Sequence, residues 1–379
     1  MDLVAGRTYT AERRPIRHLD PVLLAAAAAL AVIGLLMVYS ATRTSLGALG
    51  LDTTVRVKKQ MVFLALGVGL VPLMAAFDYR FLKVYAGVIY IVCMVLLVLV
   101  RTPIGSAVRG SQRWFSLFGF QFAPSEVAKL AVIVMLAALL SEVRARELSL
   151  SDVYRATGIA ALPALLVFAQ PDLGTSIVIA SILAGVLVVA GARSRHLAVL
   201  ALMAVVLIVG AFQLGLVKDY QIARLTGFFD PQNDPQRTGW NRNQAEIAIG
   251  SGGLTGRGYL KGPQTNLDFV PEQSTDFIFT VVGEEFGFLG AIGVLLLFGV
   301  LIWRAFRTAL LSKDPFGTYV AAGVASMLAI QVFVNVGMTI GIMPITGIPL
   351  PFVSYGGSSL VTNCAAVGML LNVHMRRFT

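Results

Sequence analysis

Three acidic residues and one lysine stand where a chain this apolar has least reason to keep charge. Asp276 lies in VPEQSTDFIFTVVGEE at 270–285, where a polar stretch turns into an apolar run, with Glu284 and Glu285 two turns further on. Carboxylates gathered at a partly desolvated mouth suit general-base chemistry. An Asp at a helix N-terminus, kept for capping and dipole alone, fits the same position. Glu126 and Lys129 in APSEVAKL are three apart and share one helix face. They read as a functional ion pair at a membrane edge, or as a helix start in which Pro124 and Glu126 serve the first turn. Asp172 in QPDLGTS is either a catalytic carboxylate or a turn residue. The segment NVGMTIGIMPITGIPLPFVSYGGSSL at 335–360, broken by three prolines and several glycines, is either a re-entrant, cavity-lining stretch or a plain loop.

The elements that must hold these residues are set by composition. Of 379 residues, 57% are hydrophobic and only 13% are charged, which excludes a water-soluble globule. A helix needs roughly 20 apolar residues to cross the hydrocarbon core. Charge-free runs fall at 21–42, 60–77, 84–100, 130–141, 156–171, 173–192, 197–217 and 286–303, and the run 315–375 is long enough for two spans. The run at 130–141 reaches full length only if it starts at Pro124 and accepts Glu126 and Lys129 as edge charges. The expected fold is an all-α integral membrane protein of about ten transmembrane helices. Continuous runs argue against an alternating β-barrel pattern. A short tail at 1–19 and another at 376–379 flank the membrane domain at 20–375, and a large extracytoplasmic segment at 218–275 joins helices seven and eight.

Several functions drop out. The glycine-rich stretch at 250–258 fails both nucleotide fingerprints, since G-x-G-x-x-G from Gly250 meets Thr255 at its last glycine. No HExxH or Cys cluster occurs, so a protein-built zinc site is not expected. Cys93 and Cys364 sit in separate apolar runs and read as buried thiols. The net charge of +10 is a topology and headgroup signal rather than a nucleic-acid one, because no basic patch with interleaved aromatics appears. Four arginines precede the first run, which is expected to stay attached as helix one. Every segment on the terminus side is basic, whereas the 5/6 and 9/10 connections lack Lys and Arg, which places both termini in the cytoplasm.

In order along the chain, QRWF with APSEVAKL, QPDLGTS, PEQSTDFIF and PITGIPLPFVSYGGSSL resemble the SEDS family of shape, elongation, division and sporulation proteins. QRW, ITGIPLPF and the short termini are most like its rod-shape branch. The resemblance implies a peptidoglycan glycosyltransferase of the bacterial cytoplasmic (inner) membrane that polymerises lipid II on the outer face during elongation. It implies a class B penicillin-binding protein as partner, with other elongation-complex membrane proteins, and leaves a divalent cation open. By motif matching, Asp276 takes the catalytic position. Glu126, Lys129 and Asp172 become conduit or active-site polar residues, and Arg109 and Trp114 outer-loop elements. The competing expectations are a flippase of lipid-linked precursors, a non-enzymatic scaffold, and the division branch with the same chemistry.

Overall fold

The computed structural model describes residues 18–108, 111–117, 120–143, 147–213, 215, 228 and 238–377. Its helices are α1 (Pro21–Ala48), α2 (Val55–Ala76), α3 (Tyr79–Val84), α4 (Ala86–Leu99), α5 (Pro124–Leu140), α6 (Leu150–Phe168), α7 (Leu173–Val189) and α8 (Ser194–Gln213). They continue with α9 (Thr238–Gly252), α10 (Pro263–Asn266), α11 (Ile278–Leu311), α12 (Pro315–Thr339) and α13 (Gly357–Arg376). Among the described residues, α1, α2, α6, α11 and α12 are each long and apolar enough to cross a membrane, and α4, α7 and part of α8 are shorter apolar helices. The chain is therefore a mostly helical, multi-pass membrane protein.

Sequence chemistry explains the helix starts. Asp20 accepts from Leu23 N at 3.1 Å ahead of Pro21, and Asp314 caps α12 ahead of Pro315. Ser149 and Asp152 form a reciprocal capping box at α6. The helix holding Glu126 and Lys129 does begin at Pro124, but Ala123 ahead of it has no capping side chain. Ser358 of α13 substitutes, its Oγ accepting from Ala123 N at 3.0 Å and donating to Gln121 O at 3.1 Å.

α12 is the central helix, packing against α5, α7, α11 and α13. Its Gly323 lies so close to α5 that a Cβ there would come within 2.9 Å of Ile133. α2 and α13 approach through Gly67 against Cys364, Gly357 against Phe63 and Gly368 against Met74. In lipid, where apolar side chains gain little from burial, such small-residue contacts let helices associate by close packing. Cys93 and Cys364 are both buried and free.

One addition to the all-helical expectation is a three-stranded antiparallel sheet, β1 (Ser106–Val108), β2 (Ser111–Leu117) and β3 (Phe120–Phe122), in the outer segment before α5. β3 rests on the start of α13, and its Phe120 ring meets Phe63 of α2 edge-on at 5.2 Å.

The glycine-rich stretch at 250–258 packs against a helix. α11 is broken at Gly287, which has φ 65 and ψ −162. An unbroken helix would bond Phe288 N and Leu289 N to the carbonyls of Glu284 and Glu285. Instead Phe288 N donates to Gly253 O at 2.9 Å and Leu289 N to Leu254 O at 3.1 Å, while Arg257 N and Gly258 N donate to the carbonyls of Glu284 and Glu285, each at 3.0 Å. All four groups freed by the break are paired again, as membrane depth demands. Only glycine allows the approach: a Cβ on Gly252 would lie 2.0 Å from Gly283 O, and one on Gly256 2.1 Å from Glu285 O. Buried Glu284 completes the splice, accepting from Gln264 N, Thr265 N and Thr265 Oγ1 at 2.7, 2.9 and 2.6 Å.

Candidate active site

Asp276 sits one residue before the α11 N-cap, which falls on Phe277 and uses no side chain. Its carboxylate is half-buried and lies against Gly347, where a Cβ would come within 3.3 Å of Oδ2. Gly347 has φ 77, a conformation that favours glycine. Below this contact, fully buried Asn335 of α12 donates through Nδ2 to Asp276 O at 2.9 Å and to Ile348 O at 2.7 Å. One amide thus fixes the distance between the acidic segment and the Pro/Gly-rich segment.

From Met343 to Gly356 the link between α12 and α13 is neither helical nor exposed. Ile348, Leu350, Phe352, Val353 and Ser354 are all buried, and a Cβ on Gly34 of α1 would overlap the Phe352 carbonyl at 2.4 Å. Over that range the segment is non-helical backbone packed within the protein. Ser354 Oγ donates to Thr275 O at 2.5 Å and accepts from Leu350 N at 2.8 Å, and Tyr355 N donates to Ser274 O at 2.8 Å. Gln60 of α2 closes the far side, donating to Ser354 O at 3.1 Å and accepting from Gly356 N at 3.3 Å.

The turn with Asp172 joins the same framework. Asp172 caps α7, accepting from Thr175 N and Thr175 Oγ1 at 3.1 and 3.0 Å. Gly174, in the first turn, lies against the link, a Cβ there falling 3.1 Å from Thr346 O and 2.6 Å from an Ile348 methylene. Asp172 and Asp276 therefore flank the segment 346–348 from two helices.

Two cations at this surface were not singled out in the sequence. Arg56, half-buried on α2, donates from Nη1 to Ser274 Oγ at 2.9 Å and packs 5.8 Å from the Tyr355 ring, and its other N–H groups have no described partner. The start of α2 is held by Asp52, which accepts from Lys58 Nζ at 2.7 Å and from Thr54 N and Oγ1 at 2.9 and 2.6 Å. Those bonds, led by the one from Lys58, keep the Asp52 carboxyl well below the ordinary carboxylate range. Arg113 of β2 reaches the α7 turn, donating to Gln170 O at 2.7 Å and to Pro171 O, with Nη1 3.9 Å from Asp172 Oδ2. Its sequence signal was present in QRWF, beside Trp114. Trp114 is half-buried in β2 and accepts from Ser106 Oγ at 2.9 Å, and Arg109 lies outside the described residues.

Glu126 and Lys129 form a separate layer at the head of α5, paired at 2.8 Å and 8% and 1% exposed. The ammonium is committed to the carboxylate and closed to solvent. Removing one partner of a buried pair strands the other, so Lys129→Met is expected to lower thermal unfolding stability by about 3 kcal/mol. Glu126→Gln combined with Lys129→Met should recover most of that loss, and equal unfolding temperatures for the wild-type and Lys129→Met proteins would reject the pairing. Elsewhere, Arg242 bonds Glu246 at 2.8 Å beside Gly341, and the Arg257 side chain is exposed. Among the described residues no group of three His, Cys, Asp or Glu side chains converges as a metal site.

Residues 21–378 match the model of the cell cycle protein family of FtsW, RodA and SpoVE. The peptidoglycan glycosyltransferase MrdB of Escherichia coli is 38% identical over 363 residues, covering 95% of this chain and 94% of that protein. Among solved structures, a chain from a peptidoglycan synthase complex coordinating polymerization and crosslinking superimposes with a TM-score of 0.79 at 32% identity, over 95% of this chain and 99% of that one. The crystal structure of rod shape determining protein RodA from Thermus thermophilus gives a TM-score of 0.70 at 31% identity, over 95% and 98%. A match across nearly the whole membrane body, together with the ordered motifs that build the junction around Asp276, means that this chain belongs to the FtsW/RodA/SpoVE family, the SEDS proteins.

Proposed function

We propose that the protein is a peptidoglycan glycosyltransferase that polymerises lipid II at the outer face of the cytoplasmic membrane during elongation, with Asp276 as general base. The observation that carries this reading is the half-buried Asp276 carboxylate, fixed against Gly347 where three motif segments meet and where the Arg56 guanidinium spends one described hydrogen bond on nearby Ser274. The body forms ten spans with both termini cytoplasmic, and the prenyl tails of two lipid-linked sugars stay in the bilayer while their head groups reach the junction. Asp276 takes the proton of the acceptor's 4-hydroxyl as that oxygen attacks the donor's anomeric carbon. The new glycosidic bond forms with inversion as the bond to the donor diphosphate breaks, and undecaprenyl diphosphate leaves with the electron pair.

Charge developing on that diphosphate is best stabilised by preorganised donors in a desolvated site. Arg56 supplies them, since its fork suits phosphate oxygens and only one N–H is spent on Ser274. Arg113 and Asp172 position the α7 turn beside the link, Trp114 and Arg109 belong to the outer cover, and Glu126 and Lys129 support the floor as a neutral pair. A class B penicillin-binding protein crosslinks the product, with other elongation-complex membrane proteins alongside.

Purified protein with its partner, supplied with labelled lipid II, is expected to yield glycan polymer. Transfer of lipid II between vesicle leaflets without any polymer would replace this reading with a flippase. Arg56→Ala is expected to lower kcat about tenfold, the value of a lost charge-assisted hydrogen bond made as the leaving diphosphate gains charge, and Arg56→Lys to recover part of it. Unchanged KM and kcat in both variants would remove Arg56 from the site.

A further inference from the structure

Strained backbone persists only where its surroundings over-determine it, and it clusters at functional sites. Glu272, half-buried and four residues before Asp276, has φ 55, a conformation in which glycine sits without strain. The turn it starts is drawn onto one atom. Glu272 O accepts from Thr275 N and Asp276 N, each at 3.1 Å, and from Phe277 N at 3.3 Å. The four residues that follow Glu272 are each tied to something outside the turn. Gln273 Nε2 donates to Thr265 Oγ1 at 3.0 Å, and Ser274 O accepts from Tyr355 N at 2.8 Å. Thr275 O accepts from Ser354 Oγ at 2.5 Å, and Asp276 O from Asn335 Nδ2 at 2.9 Å. With those positions anchored, the misfit falls on Glu272.

Glycine would remove that strain, and the glutamate offsets it with a side-chain contact inside the turn. Thr275 Oγ1 stands 3.1 Å from Glu272 O and 3.3 Å from Glu272 Oε2, so its single proton is shared between the carbonyl and the carboxyl group. Threonine is stiff at χ1, and holding its hydroxyl holds the backbone from which the next residue, Asp276, projects. Placement of that kind matters to a general base, because a displacement of about 1 Å in a reacting group can lower a rate about a hundredfold.

We propose that Glu272 is a positioning residue for the polymerisation step: by holding the Thr275 hydroxyl it locks the turn in the form that aims the Asp276 carboxylate at the acceptor hydroxyl. This inference rests on Asp276 as the general base. The purified protein with its partner is given labelled lipid II, and kcat, KM and unfolding temperature are measured for wild type, Glu272→Gly, Glu272→Gln and Thr275→Val. Glu272→Gly relieves the strained φ, so it is expected to unfold within about 2 °C of wild type and yet to lower kcat about tenfold at nearly unchanged KM. Glu272→Gln keeps an acceptor for Thr275 and should recover most of the rate. Thr275→Val keeps the shape and loses the same contact, so it should match Glu272→Gly, and the two combined should be no slower than either alone. Wild-type kcat in Glu272→Gly or in Thr275→Val, a Glu272→Gln as slow as Glu272→Gly, or losses that multiply in the double variant would each overturn the proposal, as would kcat losses that track lowered unfolding temperatures. Absence of polymer from the wild-type protein would remove the polymerase reading itself, and this inference with it.

Discussion

Asp276→Asn is expected to lower the polymerisation rate of the purified protein and its partner by about a thousandfold, the scale of a lost general base. The fold should survive, because two main-chain bonds anchor this position whatever its side chain: the Asp276 carbonyl accepts from Asn335 and its N–H donates to Glu272 O. Asparagine keeps the shape against Gly347 and loses only the proton acceptor. Asp276→Glu keeps the acceptor and moves it by one methylene toward Gly347, where a Cβ would already stand 3.3 Å from Oδ2, so it too should be severely impaired. Wild-type polymer yield from Asp276→Asn, in protein of unchanged unfolding temperature, would end the base assignment.

The largest structural effect is expected at the other end of the same segment. Gly287→Val should destabilise the protein by about 4 kcal/mol, combining a β-branched residue forced to positive φ with overpacking of a closed contact. A Cβ there would lie 2.3 Å from Gly256 N, a backbone atom that cannot rotate away. That is much of the margin of an ordinary domain. Gly299→Ala in the same helix is the control: a Cβ at Gly299 meets nothing within 4 Å, and alanine is the better helix former. Arg257→Ala should be near neutral as well, because the splice uses only the Arg257 backbone N–H. Gly287→Val unfolding at the temperature of Gly299→Ala would show that the break is not closed by the glycine stretch.

What could be read from the chain follows the range of the interactions. Pro124 before Glu126 and Lys129, and Asp172 before Gly174 and Thr175, announce helix starts locally, and the structure puts helices there. Asp172 fits the turn reading by capping α7, and it also faces Arg113. Asp276 resembled a capping residue, yet the cap falls on Phe277, and its framework is built by Asn335 and Gly347, some sixty residues away. Arg56 stayed hidden for the same reason: beside Lys58 and Lys59 it looked like one more flanking charge, and its partners Ser274 and Tyr355 are remote in sequence. The outer sheet has strands of three, seven and three residues, too short for alternation to stand out. The glycine stretch failed both nucleotide fingerprints, and nothing local tells that its close backbone approach serves another piece of the same chain.

The splice at Gly287 also bears on the order in which the protein is made. The outer turns of α11 cannot settle in lipid alone, because the carbonyls of Glu284 and Glu285 and the N–H groups of Phe288 and Leu289 would have no partners. Residues 253–258 that satisfy them leave the ribosome first, so the complement is already waiting when the broken helix emerges. The turn that presents Asp276 is thereby assembled only on a chain whose preceding segment has reached its place.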